Sequence, residues 1–252
     1  GPRMHYAVPA FLAEAKYLSY FYTDIHSNHF FFRLIKSLLP KKLQFKSLKN
    51  LLARNLPKEL NKKLVRDHIF SSLIFFNDIN KRANILFSRV VKEKFLGATA
   101  IYTNFINDDI DLIKKAKKNG LEIIHEVIIT PNSGLLMIEE NNLYPNIESN
   151  NDNLEKVKKG MDLDLIKWEL SDKIIAASKM VVGNLLKLGV DPKKIFLVPY
   201  GLSNEWYKYK STPKKGRILF VGLVGLRKGV HYLAEAARIL ASRGYNYEIV
   251  VA

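Results

Sequence analysis

Residues 97–127 read GATAIYTNFINDDIDLIKKAKKNGLEIIHEV and contain, in order, an apolar segment, a basic segment of helical period and a second apolar segment. This pattern predicts a strand over Ala98–Thr103, a helix over Asp108–Asn119 and a strand over Leu121–Val127. Strands that alternate with helices at this spacing indicate a parallel sheet with right-handed crossovers. The expected fold class is α/β, with a Rossmann-like parallel sheet.

The same alternation resumes after residue 153, so the sheet is expected to continue. The predicted elements are a helix ending at Leu170, a strand over Lys173–Ala177, a helix over Ser178–Leu188 and a strand over Ile195–Val198. Ser178 is suited to cap its helix, and Gly189 lies just past the end of that helix.

A second strand–helix–strand unit follows a polar segment, Leu202–Gly216, which is typical of a linker. This unit is predicted to contain a strand over Arg217–Val221, a turn over Gly222–Gly229, a helix over Val230–Ser242 and a strand over Tyr247–Val251. We therefore expect an N-terminal domain over residues 1–207 that lacks its first strand. Residues 208–252 are expected to be a linker and the truncated start of a second Rossmann-like domain.

The remaining segments are expected to be helical insertions. The pattern predicts a helix over Pro9–Lys16 and a strand over Tyr17–Thr23. Three short helices, interrupted by Pro40 and Pro57, are predicted between Asn28 and Asp67. Helical periods follow over Ile69–Phe95, and a loop with a helical piece is expected over Pro131–Asn153.

The composition of the 252 residues is that of a folded globular protein, with 48% apolar and 25% charged residues. Lys and Arg number 40 against 24 Asp and Glu, a net charge of +16 that favours anionic partners. The chain contains no cysteine, which excludes disulfides, thiol nucleophiles and cysteine-based zinc sites. Apolar runs fall short of the ~18 residues that a spanning helix needs. We expect a cytoplasmic protein.

One segment concentrates the positive charge. Residues 33–66 contain eleven Lys or Arg and one acidic residue, Glu59. The interleaved Leu and Phe at helical spacing predict an amphipathic surface suited to peripheral docking on an anionic membrane. The alternative is a solvated basic face whose apolar side packs on the domain. Nucleic acid is a third class of partner that we do not expect, because no nucleic-acid module is recognisable.

Metal binding is not expected from the six histidines. His26 and His29 form the only close pair, and neither a cysteine nor an acidic cluster accompanies them in the sequence.

The turn Gly222–Gly229 (GLVGLRKG) joins a predicted strand to a predicted helix. Glycines in such a turn let backbone N–H groups approach a phosphate, and Arg227 and Lys228 supply positive charge. The alternative is an ordinary tight turn with two solvated basic residues. The turn is not a P-loop, because neither Ser nor Thr follows Lys228.

Several short motifs in the second half occur in a known order. They are Ser171–Ser178 (SDKIIAAS), Leu186–Val190 (LKLGV), Pro192–Ile195 (PKKI), Val198–Gly201 (VPYG), Leu219–Gly222 (LFVG) and Arg227–Val230 (RKGV). In order and spacing they resemble the retaining nucleotide-sugar glycosyltransferases of family four, which have the GT-B fold. The close match covers residues 162–252. Earlier residues are similar in layout and in the stretches His5-Tyr6-Ala7 and Tyr22-Thr23-Asp24.

The resemblance implies two Rossmann-like domains that hold a glycan or lipid-linked acceptor and a UDP-, GDP- or ADP-sugar, with no obligatory metal. It places Lys228 on the donor diphosphate, where a fixed cation stabilises the leaving group, together with Gly222 and Arg227. It also implies that His125, at the end of a predicted strand, faces the transferred sugar as the catalytic candidate. The alternative is a hydrogen-bonded histidine without a chemical role. Glu126 could orient its ring or point to solvent.

The chain departs from the family pattern at several positions. Leu223 stands where the family usually carries Arg, so Arg227 is the expected substitute, and Ser203 replaces a frequent acidic residue. The Gly-rich loop after the first strand is missing, with Gly1–Arg3 as its expected tail. The paired glutamates are expected beyond Ala252.

These departures predict a transferase fragment that moves a sugar from a nucleotide diphosphate to a hydroxyl with retention and is inactive alone. The alternative is a non-catalytic binding module with a degenerate transferase fold that docks on an anionic membrane or polymer.

Overall fold

The structure, a computed structural model, describes residues 6–40, 44–75, 77–104, 109–148, 153–202 and 204–252. The helices of these residues are α1 (Ala7–Glu14), α2 (Phe30–Leu38), α3 (Lys46–Leu52), α4 (Ile69–Ile74), α5 (Ile79–Lys92), α6 (Ile110–Lys118), α7 (Ser133–Leu143), α8 (Leu154–Leu170), α9 (Lys179–Lys187) and α10 (Val230–Ser242). The strands are β1 (Phe21–Tyr22), β2 (Val65–Arg66), β3 (Ala100–Thr103), β4 (Glu122–Val127), β5 (Lys173–Ala176), β6 (Ile195–Leu197), β7 (Arg217–Phe220) and β8 (Glu248–Val251).

The strands form three sheets. The largest has the order β3-β4-β5-β6, and the others are the pairs β1-β2 and β7-β8. The pairs β1-β2, β4-β5, β5-β6 and β7-β8 are parallel. The expected α/β class with parallel sheets is therefore confirmed.

The chain divides into two compact units, Gly1–Ile123 and Ile124–Ala252, so that β4 begins in the first and continues in the second. The second unit contains both the 202–216 segment and the β7-α10-β8 unit. The expected domain boundary at residue 207 stays a prediction.

Among the described residues of the first unit, two clusters of buried side chains form part of its core. One contains Tyr6, Leu56, Leu60 and Val65, and the other contains Ile25, Phe32, Leu51 and Leu52. In the β1-β2 pair, Phe21 lies opposite Val65. The strand expected over Tyr17–Thr23 is thus two residues long, and β2 was not predicted, because a two-residue strand is too short to show a period.

A core cluster of the second unit is built from side chains of β4, α8, β5 and α9. Its buried members are Val127, Trp168, Ile174, Ala176, Val181 and Leu185. The Ser178 hydroxyl accepts a hydrogen bond from the Val181 amide at 3.3 Å, which caps α9 as predicted. Gly189 follows this helix with φ of 81°, a conformation that ends helices readily.

The segment Pro131–Asn153, expected to be a loop with a helical piece, contains the eleven-residue helix α7, in which an apolar run is followed by a polar run. The Leu202–Gly216 segment contains a 3-10 turn over Asn204–Lys208.

Some predictions concern positions outside the described residues, namely Gly1–Arg3, His5, Lys41, Lys42, Asp108 and Ser203. Within the described residues, none of the helices combines the length and the apolarity that crossing a bilayer requires.

Candidate functional site

His125 lies in the second half of β4, opposite Ile174 of β5, and its side chain is buried. Burial, together with the smaller effect of the nearby positive charge of Lys167, lowers the pKa of His125 to about 4. The imidazole is therefore neutral at neutral pH. It can exchange hydrogen bonds with a hydroxyl group, and it cannot serve as a cation.

Lys167 of α8 supplies the positive charge that acts on His125, and it pairs with Asp164 of the same helix. Lys167 is buried, and its Nζ lies 3.4 Å from Oδ1 of Asp164. Burial raises the pKa of Asp164, and the charge and hydrogen bond of Lys167 oppose this rise. The sequence analysis missed both residues. Their i, i+3 spacing on a helix was the available signal.

Glu126 follows His125 and is also buried. The Tyr200 hydroxyl, just after β6, donates a hydrogen bond to Oε1 of Glu126 at 3.4 Å. Because β4, β5 and β6 are parallel, the carboxyl ends of β4 and β6 lie at the same end of the sheet, on either side of β5. Ligands of α/β proteins bind at this end of the sheet. The structure thus brings the His125-Glu126 pair and the Pro199-Tyr200-Gly201 turn together.

The loop from Gly222 to Gly229 joins β7 to α10. Gly222 has φ of 154°, which L side chains rarely adopt, and its amide donates a hydrogen bond to the Ala252 carbonyl at 3.1 Å. The Lys228 stem crosses Gly222, with its Cγ and Cδ 3.9 Å from the position that a Cβ on Gly222 would take. The Arg227 and Lys228 side chains are exposed.

A carboxylate occupies part of this loop. Oε1 of Glu148 accepts a hydrogen bond from the Leu226 amide at 3.1 Å and lies so close to Gly225 that a Cβ there would overlap it. The loop backbone therefore presents an N–H group to an anionic oxygen. Sequence reasoning missed Glu148, because 78 residues separate it from Leu226.

A hydrogen bond anchors the start of α10. Nε2 of His231 lies 2.6 Å from Oε1 of Glu140 in α7, and the imidazole is buried. The Tyr144 ring lies against it, with ring centroids 4.4 Å apart. This contact holds α10 against α7 directly after the loop.

The predicted site residues fall into two separate groups. Gly222, Arg227 and Lys228 share one loop, whereas His125 lies at the sheet edge.

In the first unit, His26, His29 and Asp67 form a group that could hold a metal ion. Nε2 of each histidine lies 2.9 Å from Oδ2 of Asp67, and the two rings are stacked. Burial raises the pKa of Asp67, but the two imidazoles outweigh it and lower this pKa overall. The sequence did not show this carboxylate, because it joins the pair only through folding.

The hydrogen bonds of this group favour a structural role. The Asn28 amide donates to Nδ1 of His26 at 3.2 Å, so the proton of a neutral His26 ring resides on Nε2, which then donates to Asp67. A metal at this point would need the lone pair of that same Nε2. The group therefore ties the loop that carries His26 to the end of β2.

Comparison of the chain with protein-family models, curated proteins and solved structures found no match.

Proposed function

We propose that the chain is the acceptor-side domain and the opening donor-side unit of a retaining nucleotide-sugar glycosyltransferase with the GT-B fold. The observation that carries this proposal is the loop over Gly222–Gly229. It combines a glycine with positive φ, an exposed lysine across that glycine, and a backbone amide that already binds a carboxylate oxygen. Protein sites that bind a diphosphate use these features.

The motif resemblance supplies the reaction, and the geometry supports a role for each residue. Lys228 would hold the donor diphosphate, where its charge offsets the negative charge that develops on the leaving group. Arg227, exposed on the same turn, would add a second cation. The arrangement requires no metal, because the two cations neutralise the diphosphate.

His125 would act at the sugar or the acceptor. Its low pKa leaves it uncharged at neutral pH, so it would position a hydroxyl group by hydrogen bonding. Glu126 and Tyr200, at the same sheet edge, support a ligand-binding role for this end of β4.

The test is binding of UDP, GDP and ADP to the purified chain by isothermal titration calorimetry. We expect at least one nucleotide to bind, and Lys228→Ala to weaken it about tenfold, since a charge-assisted hydrogen bond to phosphate contributes about 1.5–3 kcal/mol. Lys210→Ala, an exposed lysine in the same unit, is the matched control. Equal affinity of both variants, or no binding of any nucleotide, would contradict the proposal.

A further inference from the structure

The most unusual surface of the first unit is the outer face of α2. Phe30, Leu34 and Leu38 follow one another at intervals of four residues and therefore share one face of the helix. Phe30 is 74% exposed, Leu38 is 72% exposed, and the adjacent Phe31 is 57% exposed. Phe32 alone among the α2 residues is buried, at 1% exposure. One apolar face of α2 thus faces solvent, whereas Phe32 and the partly buried Ile35 pack on the domain.

Contacts on the inner side fix this orientation. Phe32 packs against Ile25, Leu51 and Leu52. On the same side, Nζ of Lys36 donates hydrogen bonds to Asn55 Oδ1 at 2.6 Å and to Ser27 Oγ at 3.2 Å. Rotation of α2 to bury its Phe and Leu face would break these contacts.

The exposed apolar face continues beyond α2. The Gln44 side-chain amide donates a hydrogen bond to the Leu39 carbonyl at 2.8 Å, which holds the start of α3 beside the end of α2. Phe45, the residue before α3, is 68% exposed. Arg33 of α2 and Lys46 and Lys49 of α3, which belong to the same two helices or directly follow these apolar residues, are exposed as well. We call this set the docking surface: Phe30, Phe31, Leu34, Leu38 and Phe45 with Arg33, Lys46 and Lys49.

We propose that the docking surface binds the face of an anionic lipid bilayer. Phe and Leu side chains enter the boundary between head groups and acyl chains, and the flanking cations attract anionic head groups. The charge around the surface fits this partner, because residues 33–66 contain a single acidic residue, Glu59. Nucleic acid is less suited, because the aliphatic Leu34 and Leu38 offer it nothing to stack on or to pair with. This inference is independent of the proposed transferase function.

The first experiment is co-sedimentation of the chain with phosphatidylcholine vesicles that contain or lack phosphatidylglycerol. We expect binding to the anionic vesicles that declines as salt is raised, and little binding to the neutral ones. The double variant Phe30→Ser/Phe31→Ser should lower the partition coefficient about a hundredfold, at about tenfold per phenylalanine. Lys46→Glu/Lys49→Glu should lower binding to anionic vesicles about tenfold or more.

Matched controls change equally exposed residues elsewhere. Leu202→Ser/Tyr207→Ser removes exposed apolar groups, and Lys158→Glu/Lys159→Glu reverses exposed charges in α8. Both are expected to bind anionic vesicles like the unchanged chain. Circular dichroism of every variant checks that it is folded.

A second measurement reports insertion directly. Phe31→Trp should show a blue-shifted emission on anionic vesicles and quenching by brominated acyl chains, beyond the signal of Trp168 and Trp206 in the unchanged chain. Each of three results would overturn the proposal: retained binding by folded Phe30→Ser/Phe31→Ser, binding to RNA but not to anionic vesicles, or self-association through this face without vesicle binding.

Discussion

The Glu148 carboxylate accepts a hydrogen bond from the Leu226 amide at 3.1 Å, inside the loop that joins β7 to α10. This amide is one of the groups that would meet a donor diphosphate under the proposed function. An internal anion at this point shows that the loop backbone suits a negatively charged oxygen. It also means that a diphosphate would have to displace or adjoin a carboxylate.

The first prediction concerns this competition. Glu148→Gln removes a negative charge next to the proposed diphosphate, so we expect nucleotide diphosphates to bind about fivefold more tightly. Isothermal titration calorimetry measures the change, with Glu155→Gln, an exposed residue of α8, as the control. Weaker binding by Glu148→Gln would show instead that the carboxylate helps to hold the ligand.

The second prediction concerns packing of the same carboxylate. Gly225 has an extended backbone that any residue adopts, yet a Cβ there would overlap Oε1 of Glu148. Gly225→Ala should destabilise the chain by about 1 kcal/mol. The Glu148→Ala variant lacks the carboxylate oxygen that a Cβ on residue 225 would overlap. Adding Gly225→Ala to this variant should therefore change the free energy of unfolding little. Additive losses in the urea-unfolding cycle would contradict the contact.

The third prediction concerns His125 and acid. Its pKa falls from 6.5 to about 4 on folding, so the unfolded chain binds an extra proton between these values. The stabilisation is complete above pH 6.5 and is lost as the pH falls toward 4, by up to about 3 kcal/mol. His125→Gln should show a correspondingly smaller loss in urea unfolding between pH 7 and pH 5. Parallel curves for the two proteins would refute the assignment.

The fourth prediction concerns Asp24, which binds two arginines in the first unit. Its Oδ2 lies 3.1 Å from Arg54 and 2.9 Å from Arg82, and all three side chains are largely buried. Burial raises the pKa of Asp24, but positive charges, those of Arg54 and Arg82 among them, and the hydrogen bond from the Ile25 amide outweigh it and lower this pKa overall. Asp24→Asn should therefore lower the free energy of unfolding by about 2–3 kcal/mol.

An exposed ion pair provides the comparison for Asp24. Glu235 pairs with Arg238 at 2.6 Å on the surface of α10, where solvent screens the interaction. Glu235→Gln should change the free energy of unfolding by less than about 0.5 kcal/mol. Losses of similar size for the two variants would mean that Asp24 is no more than a surface charge.

The fifth prediction concerns the His26, His29 and Asp67 group. If Nε2 of His26 carries the proton, micromolar Zn²⁺ should leave the melting temperature unchanged, and Asp67→Asn should lower it. Differential scanning calorimetry with Zn²⁺ or EDTA tests both points. A rise in melting temperature with Zn²⁺ that His29→Ala abolishes would establish a metal site instead.

Local sequence pattern predicted the elements of the second half well. α10 begins and ends where the periodicity placed it, and Ser178 caps α9 through the Val181 amide, because caps and periods depend on neighbouring residues. The pattern failed at β2, which is only two residues long. This strand forms because Val65 and Arg66 pair with Phe21 and Tyr22, which lie far away in the sequence.

The residues of the candidate site also fall into those that the sequence predicted and those that only the structure showed. The sequence predicted His125 and the loop with Gly222, Arg227 and Lys228 as candidates, from a strand end, a Gly-rich turn and the family resemblance, and their functional roles stay predictions. It did not identify Lys167 beside His125 or Glu148 at Leu226, since these residues meet only through tertiary contacts.

The sequence by itself determined the α/β class, the parallel sheets and the positive charge, because these follow from periodicity and composition. Only the tertiary structure decided which side of α2 faces solvent. The amphipathic pattern defines an apolar face but not its partner, and here Phe32 and Lys36 turn the larger apolar face outward. It likewise decided that the His125 imidazole is neutral, because burial beside a lysine depends on how distant segments pack.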